Sequence, residues 1–318
     1  MLKPIHLVPP NMRIPFMRAH KITFVISVIL VLGSIGLLFT KGLNLGIDFA
    51  GGILMEVRAP QQPDLADMRQ RLGGLGLGEV SLQAFGEEND VLIRLPQQEG
   101  GEQAQQDAIT KVRGELGNEW EYRRTETVGP KVGGELIENA AIAAGLAMLG
   151  IFGYVWLRYD WQFGFNALLA MFHDVITTVG LFSLLGLQFD LATVAAILTV
   201  AGYSVNDTVV IFDRIRYEMR RYKTMPMSDL INLSINETLS RTTVTSGLTL
   251  ISVIALFVFG GEVLQGFALA LIWGIIIGTY STICVASPLL LYANLRRSKI
   301  HGGDEDKKDA GKGATRRA

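Results

Sequence analysis

The chain has 318 residues, of which 49% are hydrophobic and only 19% charged, whereas a soluble domain carries roughly a quarter charged residues. Its 29 Lys and Arg against 30 Asp and Glu give a formal net charge of -1, which excludes a generally basic nucleic-acid binder. The single cysteine, Cys284, excludes an intrachain disulfide, a Cys-rich zinc site and an iron–sulfur site.

The first element in chain order is a tail, 1–21, carrying Lys3, Arg13, Arg18 and Lys21 and no acid. It leads into an apolar stretch at 22–40, close to the roughly 20 residues that a bilayer crossing needs. Its apolar core is too long for the h-region of a signal peptide, and no small-residue cleavage site follows before the polar stretch 41–48, so it is expected to remain as a span. A polar segment, 41–138, comes next. Ile53, Met55 and Val57 alternate as a strand does, as do Val80, Leu82 and Ala84, and then Val91, Ile93 and Leu95. Residues 64–72 suit a short amphipathic helix with Asp64 at its start. Residues 102–116 read as a second helix and 119–128 as a last strand. The order β-α-β-β-α-β predicts an α+β, ferredoxin-like domain.

Five further apolar stretches follow, at 139–157, 165–187, 191–212, 242–259 and 267–292. The fold class is therefore an α-helical polytopic membrane protein with six transmembrane helices and an extracytoplasmic domain between the first two. Orientation follows from Lys and Arg near the spans. Arg158 lies between the second and third spans, and Arg214, Arg216, Arg220, Arg221, Lys223 and Arg241 lie around the loop 213–241. Arg296, Arg297 and Lys299 follow the sixth. All fall on one side if both termini are cytoplasmic, and the opposite short loops near 188–190 and 260–266 carry neither Lys nor Arg. The stretch 213–240 is expected to continue as helix with its arginines at the lipid headgroups. The tail 296–318 is expected to be disordered.

An ionisable group inside a membrane helix is costly and marks function by default. Asp207, in Asn206-Asp207-Thr208, lies seven residues before Arg214, about 10 Å of helix rise. Asp174, beside His173, lies nine residues into the third span, roughly 14 Å deep. Arg241 opens the fifth span beside the hydroxyls of Thr242, Thr243, Thr245 and Ser246. A carboxylate held between desolvation and a nearby cation can load and release a proton, so Asp207, Arg241, Asn206, Thr208 and Asp174 are the candidate proton path. The bland alternative is a static contact that locks two helices. His173 alone is more often a packed, hydrogen-bonded residue, and Arg241 at a helix start can simply snorkel. Gly274 and Gly278 form a small-xxx-small pair for close helix packing, and Gly51, Gly52, Gly129 and Pro130 read as backbone positions at the junctions of the outer domain. Cys284 reads as a small packed residue. The Gly-rich run 73–78 follows a helix instead of opening one, so it is a loop and not a phosphate cradle. No H-E-x-x-H, G-x-S-x-G or G-x-x-x-x-G-K-[ST] is present, so no enzyme and no ATP site is expected, and work must come from an ion gradient or a partner.

Four segments together carry a resemblance: Gly46-Ile47-Asp48-Phe49-Ala50-Gly51-Gly52; Val128-Gly129-Pro130-Lys131-Val132-Gly133-Gly134-Glu135-Leu136; Tyr203-Ser204-Val205-Asn206-Asp207-Thr208 running into Phe212-Asp213-Arg214-Ile215-Arg216; and Ser240-Arg241-Thr242. In this order they make the chain similar, over about residues 10–297, to the SecF-type subunits of the bacterial SecD–SecF protein-export complex, within the RND transporter superfamily. The resemblance implies an RND-type half in the bacterial inner membrane that needs SecD to complete its helix bundle. It also implies the Sec translocon channel with its associated subunits and exported unfolded polypeptides as partners, besides the lipid bilayer and without nucleic acid. No cofactor and no metal is implied; the coupling ion would be H+, with Na+ the alternative. It associates Asp207 and Arg241 with proton conduction. The rival readings are half of a small-molecule RND exporter, a scaffold that moves no ions, and an intramembrane protease pairing Asp174 with Asp207. The compact outer domain argues against the first and the intramembrane charge against the second.

Overall fold

The computed structural model describes residues 13–84 and 87–293; the expected disordered tail 296–318 and most of the tail 1–21 lie outside these. A short 3-10 turn, Phe16–Arg18, precedes α1, His20–Thr40. The chain then forms β1 (Asn44–Leu45), α2 (Ile47–Ala50), β2 (Gly52–Arg58), α3 (Leu65–Gly73), β3 (Ser81–Ala84), β4 (Asp90–Leu95), α4 (Gly101–Leu116) and β5 (Glu121–Val128). After these come α5 (Pro130–Arg158), α6 (Trp161–Leu185), β6 (Gln188–Phe189), α7 (Leu191–Arg221), α8 (Met227–Phe259), α9 (Glu262–Ser281), a π-helical segment (Thr282–Ala286) and α10 (Ser287–Leu289). Among the described residues six helices are long and apolar enough to cross a membrane.

Several boundaries differ from the sequence expectation, each for a local reason. Gly129 is extended and Pro130 occupies the first helical turn, where its fixed φ suits a helix start, so α5 begins nine residues before the apolar stretch at 139. Gly186 in the left-handed region stops α6 and leaves Leu187 outside. Residues 213–240 do not form one continuous helix. The chain breaks between Arg221 and Met227, and Pro226, extended, precedes α8. The last span changes at Thr282 to π geometry, a form found mostly as single turns at functional sites.

In the outer domain the sheet order is β3-β4-β2-β5 with every pairing antiparallel, which is the split βαβ arrangement expected from the element order. The alternation in β2 and β4 sends Ile53, Met55, Val57, Val91, Ile93 and Leu95 to one face, where Met68 and Leu72 of α3 and Ile109 and Val112 of α4 cover them. Asp64 caps α3 by accepting from the Ala66 and Asp67 amides. The other face carries Leu54, Glu56, Leu92 and Arg94 and borders a cleft of about 390 Å³ against the membrane helices. Gly52, at φ 120°, must be glycine, since a Cβ there would lie 2.4 Å from the Leu95 carbonyl oxygen.

Asp90 is buried and clamped by two arginines. Arg58 Nε donates at 2.6 Å and Nη2 at 2.9 Å, and Arg123 Nη1 donates at 3.1 Å. The Arg58 hydrogen bonds hold the Asp90 carboxyl below the usual carboxylate range against the opposing effect of burial. A carboxyl depressed in the folded state contributes stability above its unfolded pKa, about 3.9, and loses it as pH falls through the folded value. Thermal unfolding of the full chain is therefore expected to weaken for the outer domain below about pH 4, and Asp90→Asn is expected to flatten that acid dependence. An unchanged pH profile in the variant would show that the clamp carries no linkage.

The N-terminal residues dock on α8: Asn236 Oδ1 accepts from the Ile14 amide at 2.8 Å and Asn232 Oδ1 from the Met17 amide at 2.9 Å. His20 Nε2 meets the Tyr292 hydroxyl at 3.0 Å. The start of α1, the start of α8 and the end of the last span therefore share one end of the bundle, and β1 pairs with β6 at the other.

Candidate functional site

The site is organised along α7. Its start is fixed twice. Asp190 caps it by accepting from the Thr193 amide and hydroxyl, both at 2.7 Å, and Asp48 Oδ2 accepts from the Leu191 amide at 3.0 Å. The same end is held by the parallel β1–β6 pair, by the Gly46 amide donating to the Phe189 carbonyl at 2.8 Å, and by Arg94 Nη2 donating to Gln188 Oε1. The segment Gly46–Gly52, the membrane helix α7 and the outer sheet thus meet at one point.

Deeper in the membrane, α7 turns Ser204, Asp207 and Thr208 inward, as residues three and four apart on a helix must share a face. Asp207 is 3% exposed and accepts from the Ser246 hydroxyl of α8 at 3.3 Å. Ser246 also meets Thr279 of α9 at 3.1 Å, and Thr208 meets Thr282 at 2.9 Å. One turn towards the outer domain lies a second carboxylate. Asp174 of α6 is fully buried. His173 Nδ1 stands 2.9 Å from its Oδ1, and Ser204 and Ser281 donate to its Oδ2 at 2.5 and 2.7 Å. His173 Nε2 is buried with no partner. Two hydroxyl-lined carboxylates therefore sit along one seam between α6, α7, α8 and α9, built from groups that can accept, hold and pass a proton.

The structure separates the expected path residues. Asp207, Thr208 and Asp174 join the seam. Arg241 is exposed, and no ion pair joins it to Asp207. Asn206 is also exposed, since the 100° step from Asp207 turns it off the buried face. Gly274 and Gly278 lie where α9 crosses α7: a Cβ on Gly274 would come within 2.1 Å of Val200, and on Gly278 within 3.1 Å of Ser204. Gly51 and Gly52, both at positive φ, join α2 to β2, while Gly129 and Pro130 open α5. Sequence reasoning passed over Ser204 and Asp48 as functional groups. The signal for Ser204 was its position three residues before Asp207, and Asp48 stood out as the only charge in a glycine-bracketed apolar motif.

A family model described as "Protein export membrane protein SecD/SecF, C-terminal" matches residues 108–296, and a "SecD/SecF GG Motif" model matches residues 36–61. The chain belongs to the SecD/SecF protein-export family. The GG-motif match covers Asp48, Gly51 and Gly52, and the longer match covers Asp174, Asp207 and Arg241. Among relatives of this SecD/SecF chain, the protein translocase subunit SecF of Rickettsia rickettsii is 45% identical over 93% of this chain and 97% of its own length. That of Desulfurispirillum indicum is 46% identical over 91% and 94%. The crystal structure of SecDF, a translocon-associated membrane protein from Thermus thermophilus, superimposes with a TM-score of 0.80 at 36% identity over 92% of this chain. SecDF in its super-membrane-facing form gives 0.68 at 34% identity over 99%. This chain spans about 40% of the length of those SecDF chains.

Proposed function

We propose that this SecD/SecF-family chain works as the SecF-type half of a membrane complex with a SecD-type partner. The complex assists late-stage export of unfolded polypeptides through the Sec translocon, driven by the proton motive force. It lies in the bacterial inner membrane with both termini cytoplasmic and residues 41–138 outside, and it acts without catalysis of its own. The single observation that carries the reading is Asp207, a carboxylate buried at mid-helix that accepts from the Ser246 hydroxyl, on the helix whose outer end is capped by the GG-motif residue Asp48. Charge carried past Asp207 supplies about 2.3 kcal/mol per elementary charge at 100 mV.

Protonation of Asp207 removes a charge from a low-dielectric site and changes which helix arrangement is favoured. The route outward is by α7. It runs along α7 to Leu191, across to Asp48 and Gln188, and from there into β2 and Arg94 of the outer sheet. The backbone pairing of β1 with β6 supports α7 as the conduit. The outer domain then takes one of two positions and holds an emerging chain against backsliding. A scaffold that moves no ions would need neither the Asp207 carboxylate nor its hydroxyl seam, and Asp207→Asn in a gradient-dependent export assay separates the two readings. Imposing a pH gradient without sodium, and sodium without a pH gradient, separates H+ from Na+.

Asp48 gives an independent check of the route. Asp48→Ala removes the side-chain acceptor at the start of α7, a loss of about 1 kcal/mol typical of a helix cap. The full chain is expected to stay folded and to assemble with its partner, while the gradient-dependent part of export falls. Asp48→Asn keeps an acceptor and is expected to restore most of it. Equal export in Asp48→Ala and wild type would place the coupling elsewhere.

A further inference from the structure

At the end of the bundle opposite the outer domain, a cavity of about 600 Å³ opens between the last turn of α5, the second half of α7 and the middle of α8. Arg158, Arg214, Arg216, Arg220 and Arg241 line it. The carboxylates in its wall are those of Asp213 and Glu237, and Glu218 pairs with Arg214 from behind it, so positive charge is in excess. The arginines are unevenly engaged. Arg214 is taken by Glu218 at 2.7 Å and Glu237 at 2.5 Å, and Arg158 stands 3.6 Å from Asp213. Arg216 donates to the Arg158 carbonyl at 3.3 Å and stands over the Tyr159 ring. Among the described residues no carboxylate lies within salt-bridge distance of Arg216, Arg220 or Arg241. Unpaired guanidinium groups converging on one cavity favour an anion, and the planar fork of arginine matches the oxygens of a phosphate group.

We propose that this cavity is a binding site for a phosphate group, carried by an anionic phospholipid headgroup. The position favours the lipid source. Arg158 ends one membrane helix and Arg220 lies in the last turn of another, so the cavity sits at the level where headgroups pack, and basic pockets between membrane helices on the cytoplasmic side take such headgroups. Leu157, 90% exposed, and Tyr217, 55% exposed, stand beside the arginines as apolar surface for the acyl chains. A soluble phosphate-bearing anion would use the same guanidinium groups but would leave that surface unused. The site also shares Arg241 with the proposed ion path. An anion held there engages a cation of that proposed path, so the lipid tunes the ion step. This last consequence rests on the proposed role of Asp207; occupancy of the cavity does not.

The test uses the chain assembled with its SecD-type partner. The complex is purified from membranes and placed in nanodiscs of phosphatidylcholine with or without phosphatidylglycerol or cardiolipin, and bound lipid is counted by native mass spectrometry. The double variant Arg216→Gln/Arg220→Gln leaves the Arg158 and Arg214 pairs in place. It is expected to weaken retention of anionic lipid by about thirtyfold, from two arginine contacts near a membrane surface, without changing partner assembly. Arg216→Lys/Arg220→Lys is expected to recover part of the retention, which a folding defect would not allow. Retention of inorganic phosphate with no preference for anionic lipid keeps the site and assigns it to a soluble phosphate. Equal anionic-lipid retention by wild type and the Gln variant, with no effect of phosphate, overturns the site. Export with and without the gradient, measured in both lipid mixtures, then separates the two ideas: lipid retention without any change in export leaves the site standing and removes its link to Asp207.

Discussion

Asp207→Asn is expected to abolish the stimulation of late-stage export by an ion gradient while the complex still assembles. Asparagine has nearly the same shape as aspartate, and its side-chain oxygen still accepts from Ser246, which now stands 3.3 Å from Asp207 Oδ2. Packing against α8 and α9 is therefore kept, and what is lost is the ability to change charge. One charge moved through 100 mV is worth about 2.3 kcal/mol, a factor of roughly fifty in an equilibrium, which bounds the benefit that the variant forfeits. The measurement is completed transfer of a reporter protein into the lumen of sealed inverted vesicles, with and without the gradient, for wild type and variant at matched complex levels. If the variant retains the gradient's benefit, Asp207 is a helix contact and the scaffold reading takes over. The same comparison for Asp174→Asn tests the second carboxylate of the seam, whose contacts with Ser204 and Ser281 tie α6 to α7 and α9.

The second large effect is expected at Gly180, where α6 crosses α1. A Cβ there would lie 2.2 Å from Ser34 Oγ and 2.8 Å from Ser34 Cα of α1. The last of these is backbone, so no rotamer change relieves it and α1 must move away from α6. Overpacking of this kind costs about 1–3 kcal/mol, and in lipid no hydrophobic force draws the helices back together. Gly180→Ala is expected to lower the thermal unfolding midpoint of the purified chain and to loosen α1. Adding Ser34→Gly to it removes the Ser34 side-chain clashes and is expected to recover part of the loss. A neutral Gly180→Ala would mean that the two helices do not meet so closely.

What the sequence made legible follows from how far apart the cooperating residues lie. The spans and the strands of the outer domain are local patterns, and the alternation of Ile53, Met55 and Val57 needed only its neighbours. Asp207 and Asp174 were visible because charge in an apolar run is conspicuous. Their partners were not. Ser204 lies 30 residues and Ser281 lies 107 residues from Asp174, and Asp48 is 143 residues from Leu191; no periodicity links positions so distant. Asn206 shows the converse. Adjacency in sequence suggested adjacency in the site, but helix geometry turns neighbouring side chains about 100° apart, and Asn206 faces outward. Arg241 was paired with Asp207 by chemistry alone, whereas the structure leaves it exposed in the arginine-lined cavity. The start of α5 at Pro130 was hidden because helix formation there follows backbone geometry and not hydropathy.

The 31 residues of α7 make a rod about 46 Å long, with the Asp207 carboxylate near its middle and the GG-motif aspartate on its outer tip. A hydrogen-bonded helix resists stretching, so an axial displacement of α7 at its middle would also move its tip. On the proposed ion path, each load-and-release cycle would then reach the outer domain through this one helix. Coupling by that route would depend on the fastening of the tip, through Asp48 to the Leu191 amide and through Gln188 to Arg94.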